Sequence, residues 1–353
     1  MKYLIVQDWC STRGNHAGMV HMCKLLCARY PTEYKMVVVE EPKYCYHGKN
    51  VFSTFYCRIL SWVKKHIVFP LDIKKSCKQV LSELNESDEV FLLEYLFPNV
   101  NQYVIARLLR NEKKSVRIYA LSHLTPKFMS ENAMPSSTIK KWSLPIDVML
   151  TLGSSLSGYL VKCGVDSLKI STGFHYVDGD YYRKMNEGYA ESVMTIIVIG
   201  SMMRNENMTA EIIRRTPFVK WIVCLGRKKN TFNFTNNVEV LGYVSEDTLR
   251  LKMMQSDASL SVMDDTIGSN VITTSMAMGL VNIASDVGSI RDYCDESNSI
   301  LCKNDVESFV DNIHILAESR DLQEKLKKNA VERSKSFSIE KVHEWFSKLR
   351  DMT

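Results

Sequence analysis

Short runs of β-branched and aliphatic residues recur along the chain, each closed by a polar or glycine-bearing turn and most followed by a stretch with helical spacing. In the first half the runs are YLIVQD, YKMVVVE, EVFLLEY, VRIYALSH and DVMLTLG, with helical stretches over residues 18–30, 99–109 and 154–163. Strands this continuously apolar are buried on both faces, and their alternation with helices predicts a mainly parallel sheet covered on both sides. The pattern then restarts with MTIIVIGS, VKWIVCLG, NVEVLGYV, ASLSVM and NIASD. Between the halves, VDGDYYRKMNEGYAES is polar and lacks periodicity, which reads as a linker. The expected architecture is α/β with two doubly wound domains over residues 1–176 and 193–335, joined by a linker over 177–192. A last apolar-faced helix over 336–353, carrying Val342, Trp345, Phe346 and Leu349, is placed to pack back on the first domain.

The stretch from Ser261 to Cys294 carries the most chemistry. After ASLSVM, residues 264–269 supply turn residues that strands avoid, and Asn270 is placed to cap a helix. Ile272 and Met276 fall four apart on that helix, and Gly279 stops it. Its first turn would present the N–H groups of Gly268, Ser269, Asn270 and Val271 at the positive end of the helix dipole, which suits a phosphate. Val287-Gly288-Ser289 then forms a second turn where backbone can approach a ligand closely. The same residues also suit an ordinary strand, turn and helix of an α/β domain.

Composition narrows the class. At 45% hydrophobic and 24% charged residues, the chain has ordinary globular material for two cores. The net charge of +5 comes without an arginine-rich tract, so nucleic acid is not an expected partner. MKYLIVQDWC is too short an apolar run for a signal peptide, and no stretch suits a membrane span, which together suggest a cytoplasmic protein. The ten cysteines form no CxxC pairs, so neither zinc nor a disulfide framework is expected. From Lys49 to Lys75, Phe52, Phe55, Tyr56, Ile59, Leu60, Trp62 and Val63 are interleaved with Arg58, Lys64 and Lys65. That spacing suits a helix lying on an anionic membrane surface, at the inner face of the membrane, and equally a core helix with solvated lysines.

Three segments share an order and spacing with one family. TGFHYVDGDYY (172–182) resembles its interdomain segment, NVEVLGYVSEDTLRLKMMQSDASLSV (237–262) resembles its approach to the donor site, and SMAMGLVNIASDVGSIRDYC (275–294) resembles its helix, strand and glycine turn. The family is glycosyltransferase family 4, of GT-B fold. The resemblance implies two Rossmann-like domains facing a cleft, with a glycan or lipid-linked acceptor in the first and a nucleotide-sugar donor in the second. It further implies transfer with retention of anomeric configuration, no cofactor, no obligatory metal, and a role in cell-surface polysaccharide biosynthesis.

On the donor side the resemblance places Gly200, Ser201 and Arg204 of GSMMRNEN, Arg227 and Lys228 after the next strand, and Gly242-Tyr243. Arg204 and the helix N–H groups suit the negative charge that develops on a leaving diphosphate. The family commonly carries two glutamates eight residues apart; here those positions hold Thr266 and Thr274, with Asp264 and Asp265 the acids nearest the first. Asp265, Arg204 and His123 are the catalytic candidates. On the acceptor side, Gly14, Asn15, His16 and Gly18 match the family's first loop, His123 matches a cleft histidine, and Glu94 ends the neighbouring strand. Asp178-Gly179-Asp180 matches an Asp-x-Asp metal motif only by spacing. Two rival readings stay open: a nucleotide-sugar epimerase of the same build, and a catalytically degenerate nucleotide-binding partner subunit.

Overall fold

The structure is a computed structural model that describes residues 1–9, 14–40, 51–97, 102–113, 115–132, 134–184, 193–200, 203–226 and 236–352. It contains two parallel six-stranded sheets. The first comprises β1 (Lys2–Asp8), β2 (Tyr34–Glu40), β3 (Glu89–Leu92), β4 (Arg117–Ser122), β5 (Val148–Thr151) and β6 (Ile170–Thr172), in the order β2-β1-β3-β4-β5-β6. The second comprises β7 (Thr195–Ile199), β8 (Lys220–Cys224), β9 (Val238–Leu241), β10 (Ala258–Ser261), β11 (Val281–Ser285) and β12 (Ser299–Cys302), in the order β12-β11-β10-β7-β8-β9. Every residue of β3, β5, β10 and β11 is buried, as strands covered on both faces must be.

All ten apolar runs form strands. The two strands that the pattern did not separate, β6 and β12, are short edge strands whose half-buried IST and SILC segments give no sustained run. Each strand order reverses once, between β1 and β3 and between β7 and β10, and the crevices that ligands favour open at the carboxyl ends of those pairs.

The chain crosses between the domains twice. After the second domain, helix Ile339–Lys348 returns to the first sheet, where Phe346 stacks on Phe91 at 4.5 Å and Ile339, Val342 and Leu349 join the first core. Trp345 lies against Gly173, where any side chain would strike the indole, and its Nε1 donates to Ser171 Oγ at 3.0 Å. Polar contacts hold the domains face to face. The Ser154 amide and hydroxyl donate to Asp292 at 2.6 and 2.9 Å, the Ser155 amide donates to Ser289 Oγ at 2.8 Å, and the Lys127 amide donates to Asp265 Oδ2 at 2.9 Å.

Candidate functional site

The second domain brings a half-buried cation, Arg204, to its switch point. Beyond β7 the chain turns at Gly200 and Met203, both at positive φ, and Arg204 pairs its backbone with Met263 just past β10. A side chain at Gly200 would sit 3.6 Å from the Arg204 guanidinium and 3.5 Å from Val271, so the cation lies beside the first turn of helix Asn270–Ala277. Burial pulls the Arg204 pKa down to about 10, and its Nη1 is buried without a hydrogen-bond partner among the described residues. A desolvated cation of this kind is a site for an anion.

The turn itself is built differently from its sequence reading. Ser269, not Asn270, caps helix Asn270–Ala277, its Oγ accepting the Ile272 amide at 3.3 Å; Asn270 is the first helical residue, and its carbonyl also accepts the Thr274 hydroxyl. The Gly268 N–H is also not free, since it donates to Thr266 Oγ1 at 3.1 Å. The amides of Asn270 and Val271 remain as the cradle donors, without partners among the described residues. Gly268 sits at φ +87° directly against the Tyr293 ring, whose hydroxyl donates to Leu152 O and accepts the His175 amide.

A cavity of about 340 Å³ runs from Gly200 over Gly226 and Gly242-Tyr243 to Glu246, with Gly14 and Asn15 of the first domain on its rim. A second, of about 580 Å³, is lined in the first domain by Trp9, Glu94, Phe97, His123 and His175 and reaches Asn270 across the cleft. Gly14 and Asn15 border both, so the two form one cleft between the domains.

At the carboxyl ends of β3 and β4, Glu94 and His123 face each other, Oε2 to Nε2 at 3.3 Å. Trp9 Nε1 donates to Glu94 Oε1 at 3.4 Å, and the Glu94 amide donates to Gln102 Oε1 at 2.8 Å. Burial raises the Glu94 pKa against the opposing pull of His123 and Trp9; burial and His123 push His175 down to about 3. Nine buried side-chain polar atoms lack a hydrogen-bond partner among the described residues; Gln7 Nε2, His123 Nδ1 and Glu94 Oε2, the last held only by its ion pair with His123, belong to residues lining the larger cavity. Polar groups left this way in a cleft are what a ligand site shows when its ligand is not part of the fold.

The first loop meets the linker in a clasp. His16 Nδ1 and His21 Nε2 each lie 2.8 Å from Asp178 Oδ2, and Tyr181 stacks on His16 at 3.6 Å. Although burial opposes it, hydrogen bonds from His21 and His16 hold the Asp178 carboxyl well below the usual range. The three side chains could hold a cation, and the two imidazoles already satisfy the carboxylate without one.

Residues 195–319 match the family model described as Glycosyl transferases group 1. No curated protein sequence matches the chain. Among solved structures, the fold is similar to HepE of Anabaena, solved in complex with UDP and glucose, at 12% identity over 100% of both chains with a TM-score of 0.69. The chain has the GT-B fold. Two further GT-B neighbours are sucrose-phosphate synthase of Thermosynechococcus elongatus (10% identity, 100% of both chains, TM-score 0.68) and the lipopolysaccharide outer core galactosyltransferase WaaB (13% identity, 99% of this chain and 100% of that one, TM-score 0.64).

Within this GT-B cleft the structure gathers Gly14, Asn15, Gly18, Glu94, His123, Gly200, Gly242, Tyr243 and Asn270, with Arg204 and Val271 beside Gly200. Ser201, Arg227 and Lys228 lie outside the described residues. His16 has one ring nitrogen taken by Asp178 and a ring face covered by Tyr181, so it serves the clasp. Asp265 spends one oxygen on the Lys127 amide, and Asp264 lies between Asn205 at 3.4 Å and Lys127 Nζ at 3.7 Å. Thr266 and Thr274 are buried and hydrogen-bond locally, so neither replaces an acid.

The acid on the donor side that the sequence reading missed is Glu246, in the first turn of helix Glu246–Met254 and lining the nucleotide-sized cavity. The only sequence signal was its place just after GYVS, a helix start next to a glycine turn. Burial raises its pKa to about 6, and Tyr182 donates its hydroxyl to it. A raised carboxyl contributes most to stability at acid pH and loses that contribution as pH rises through about 6. If its carboxylate accepts ribose hydroxyls, donor KM will rise as pH falls through about 6. Glu246→Gln is expected to remove that inflection; donor KM measured from pH 5 to 8 checks it, and an identical profile in the variant rejects the contact.

Proposed function

We propose that the protein is a glycosyltransferase that moves a sugar, with retention of anomeric configuration, from a nucleotide-sugar donor to a glycan or lipid-linked acceptor. The observation that carries the reading is Arg204: a half-buried guanidinium beside Gly200 whose buried Nη1, like the nearby Asn270 and Val271 amides, has no partner among the described residues. Cleavage of a sugar–diphosphate bond leaves negative charge on the β-phosphate, and fixed donors already aimed there lower the barrier without reorganising. Because Arg204 and the helix terminus supply that charge, the proposed transfer runs without a divalent metal. The base sits against Gly226 and Tyr243, with Glu246 near the ribose. The acceptor occupies the larger cavity, where Glu94 and His123 meet its hydroxyls.

A UDP-sugar is the donor to test first, since HepE is solved with UDP and glucose. WaaB builds lipopolysaccharide outer core, which supports cell-surface polysaccharide assembly as the setting. Incubation with a panel of UDP-sugars and glycan or lipid-linked acceptors, followed by NMR of the anomeric proton, is expected to show turnover with retained configuration and no sensitivity to EDTA. An inverted product removes the retaining mechanism. UDP-induced thermal stabilisation without turnover on any acceptor favours a degenerate partner subunit, and sugar isomerisation without acceptor favours the epimerase.

A further inference from the structure

Helix Val51–Val63 faces the wrong way for a core helix. Phe52, Phe55, Tyr56, Ile59 and Trp62 fall at i, i+3, i+4, i+7 and i+10, one stripe of a helix, and all are exposed, Phe52 at 88% and Trp62 at 58%. The side turned inward carries Cys57 with Ser53, Thr54 and Ser61 half-buried beside it. A soluble helix puts its stripe against the domain; this one half-buries Leu60 and Val63 beside its small and hydroxyl residues and turns its aromatics outward.

The stripe continues. Through the π-helical turn Lys64–Val68 the backbone stays helical into helix Phe69–Glu83, and Ile67, Val68 and Leu71 are exposed as well. The charge is concentrated here too. Residues 51–78 hold six lysines and arginines against one aspartate, a surplus equal to the +5 of the whole chain, so the remainder of the chain is neutral. Arg58, Lys74, Lys75 and Lys78 are exposed.

The run is also tied to the first domain. Glu83, at its far end, pairs with Lys35 at the start of β2 and accepts the Tyr3 hydroxyl through its carbonyl at 3.4 Å, so helix Phe69–Glu83 passes back along the sheet. Residues 51–68 add about 27 Å of helix ahead of it. Val38, near the carboxyl end of β2, lines the larger cavity.

We infer that residues 51–78 form an interfacial anchor that lays its aromatic stripe into an anionic lipid bilayer, with its lysines against the headgroups. An apolar stripe with a basic flank matches an anionic bilayer, which offers hydrocarbon and negative charge in one surface. No helix among the described residues is long and apolar enough to cross a membrane, so the anchor lies on the bilayer. Resting on the function proposed above, an anchor carried by the acceptor domain makes a lipid-linked glycan the acceptor class.

Co-sedimentation of the full chain with vesicles tests the anchor without reference to activity. Binding is expected to vesicles of phosphatidylcholine with about 30% phosphatidylglycerol, and to be far weaker with phosphatidylcholine alone. The triple variant Phe52→Ser, Phe55→Ser, Trp62→Ser is expected to lower partitioning more than about a hundredfold, and Lys74→Gln with Lys75→Gln on the order of thirtyfold at low salt. All five side chains are exposed, so the melting temperature is expected to hold in both variants, which separates lost binding from lost fold. The anchor is overturned if the wild type binds neither vesicle, if the triple variant binds as well as the wild type, or if the wild type is a dimer that the triple variant converts to monomer without lipid. Transfer to a soluble glycan with full vesicle binding would leave the anchor standing and remove only the lipid-linked acceptor.

Discussion

Arg204→Ala lowers kcat by on the order of a hundredfold or more, with a smaller effect on donor KM, and leaves the free protein as stable as before or more so. The asymmetry follows from what the side chain lacks. Its Nη1 has no partner among the described residues, and burial alone pulls its pKa to about 10, so the free enzyme carries an uncompensated desolvation cost that a diphosphate would offset. Charge on the leaving oxygen grows as the bond breaks, so the interaction is worth more in the transition state than with bound donor, and its loss falls on kcat. Arg204→Lys is expected to recover only part of the rate, because an ammonium cannot contact a phosphate through two parallel N–H bonds. Steady-state kinetics beside thermal melts check both statements; a kcat unchanged in the alanine variant takes Arg204 out of the chemistry.

Gly268→Ala is expected to cost about 3 kcal/mol or more of stability and to abolish stabilisation by UDP. Gly14→Ala should cost about 1 kcal/mol. The two glycines share a φ of +87°, so the backbone penalty of adding a side chain is common to both. They differ in surroundings: a β-carbon at Gly14 meets nothing within 4 Å, whereas one at Gly268 falls inside the Tyr293 ring. Tyr293 cannot withdraw freely, since its hydroxyl holds Leu152 and His175 of the first domain. The clash therefore spreads to the cradle on one side and the domain contact on the other. Equal melting temperatures for the two variants would show that the ring yields, and that the turn is not wedged.

Pattern alone carried the two-sheet architecture, because strands buried on both faces leave runs such as TIIVI and VMLT that little else explains. It carried the strand, glycine turn and helix from Ala258 to Ala277 as well, since these signals are all local in sequence. It placed the cap one residue late, because Ser269 and Asn270 are both good caps and only the path of the turn decides between them. Glu246 and the His16–Asp178–His21 clasp were out of reach for a different reason. Asp178 lies more than 150 residues from both histidines, and Glu246 acquires its raised pKa only when the domains close round it. The outward face of helix Val51–Val63 was ambiguous in sequence, since an i, i+3, i+4 stripe has the same spacing whether it faces core or solvent. Only exposure could decide it.

The return of helix Ile339–Lys348 to the first sheet bears on how the molecule is made. A ribosome delivers residues 1–176 long before Phe346 and Trp345 exist, so the first domain leaves the exit tunnel with Phe91 and Gly173 uncovered, while the second domain holds nearly all of its own core once residue 335 has emerged. Folding as separate units from the amino end, usual for two-domain chains, is thus interrupted: the half synthesised first is completed last. A stop codon in place of Ile339 would leave the second domain nearly whole and injure the first, which was made before it.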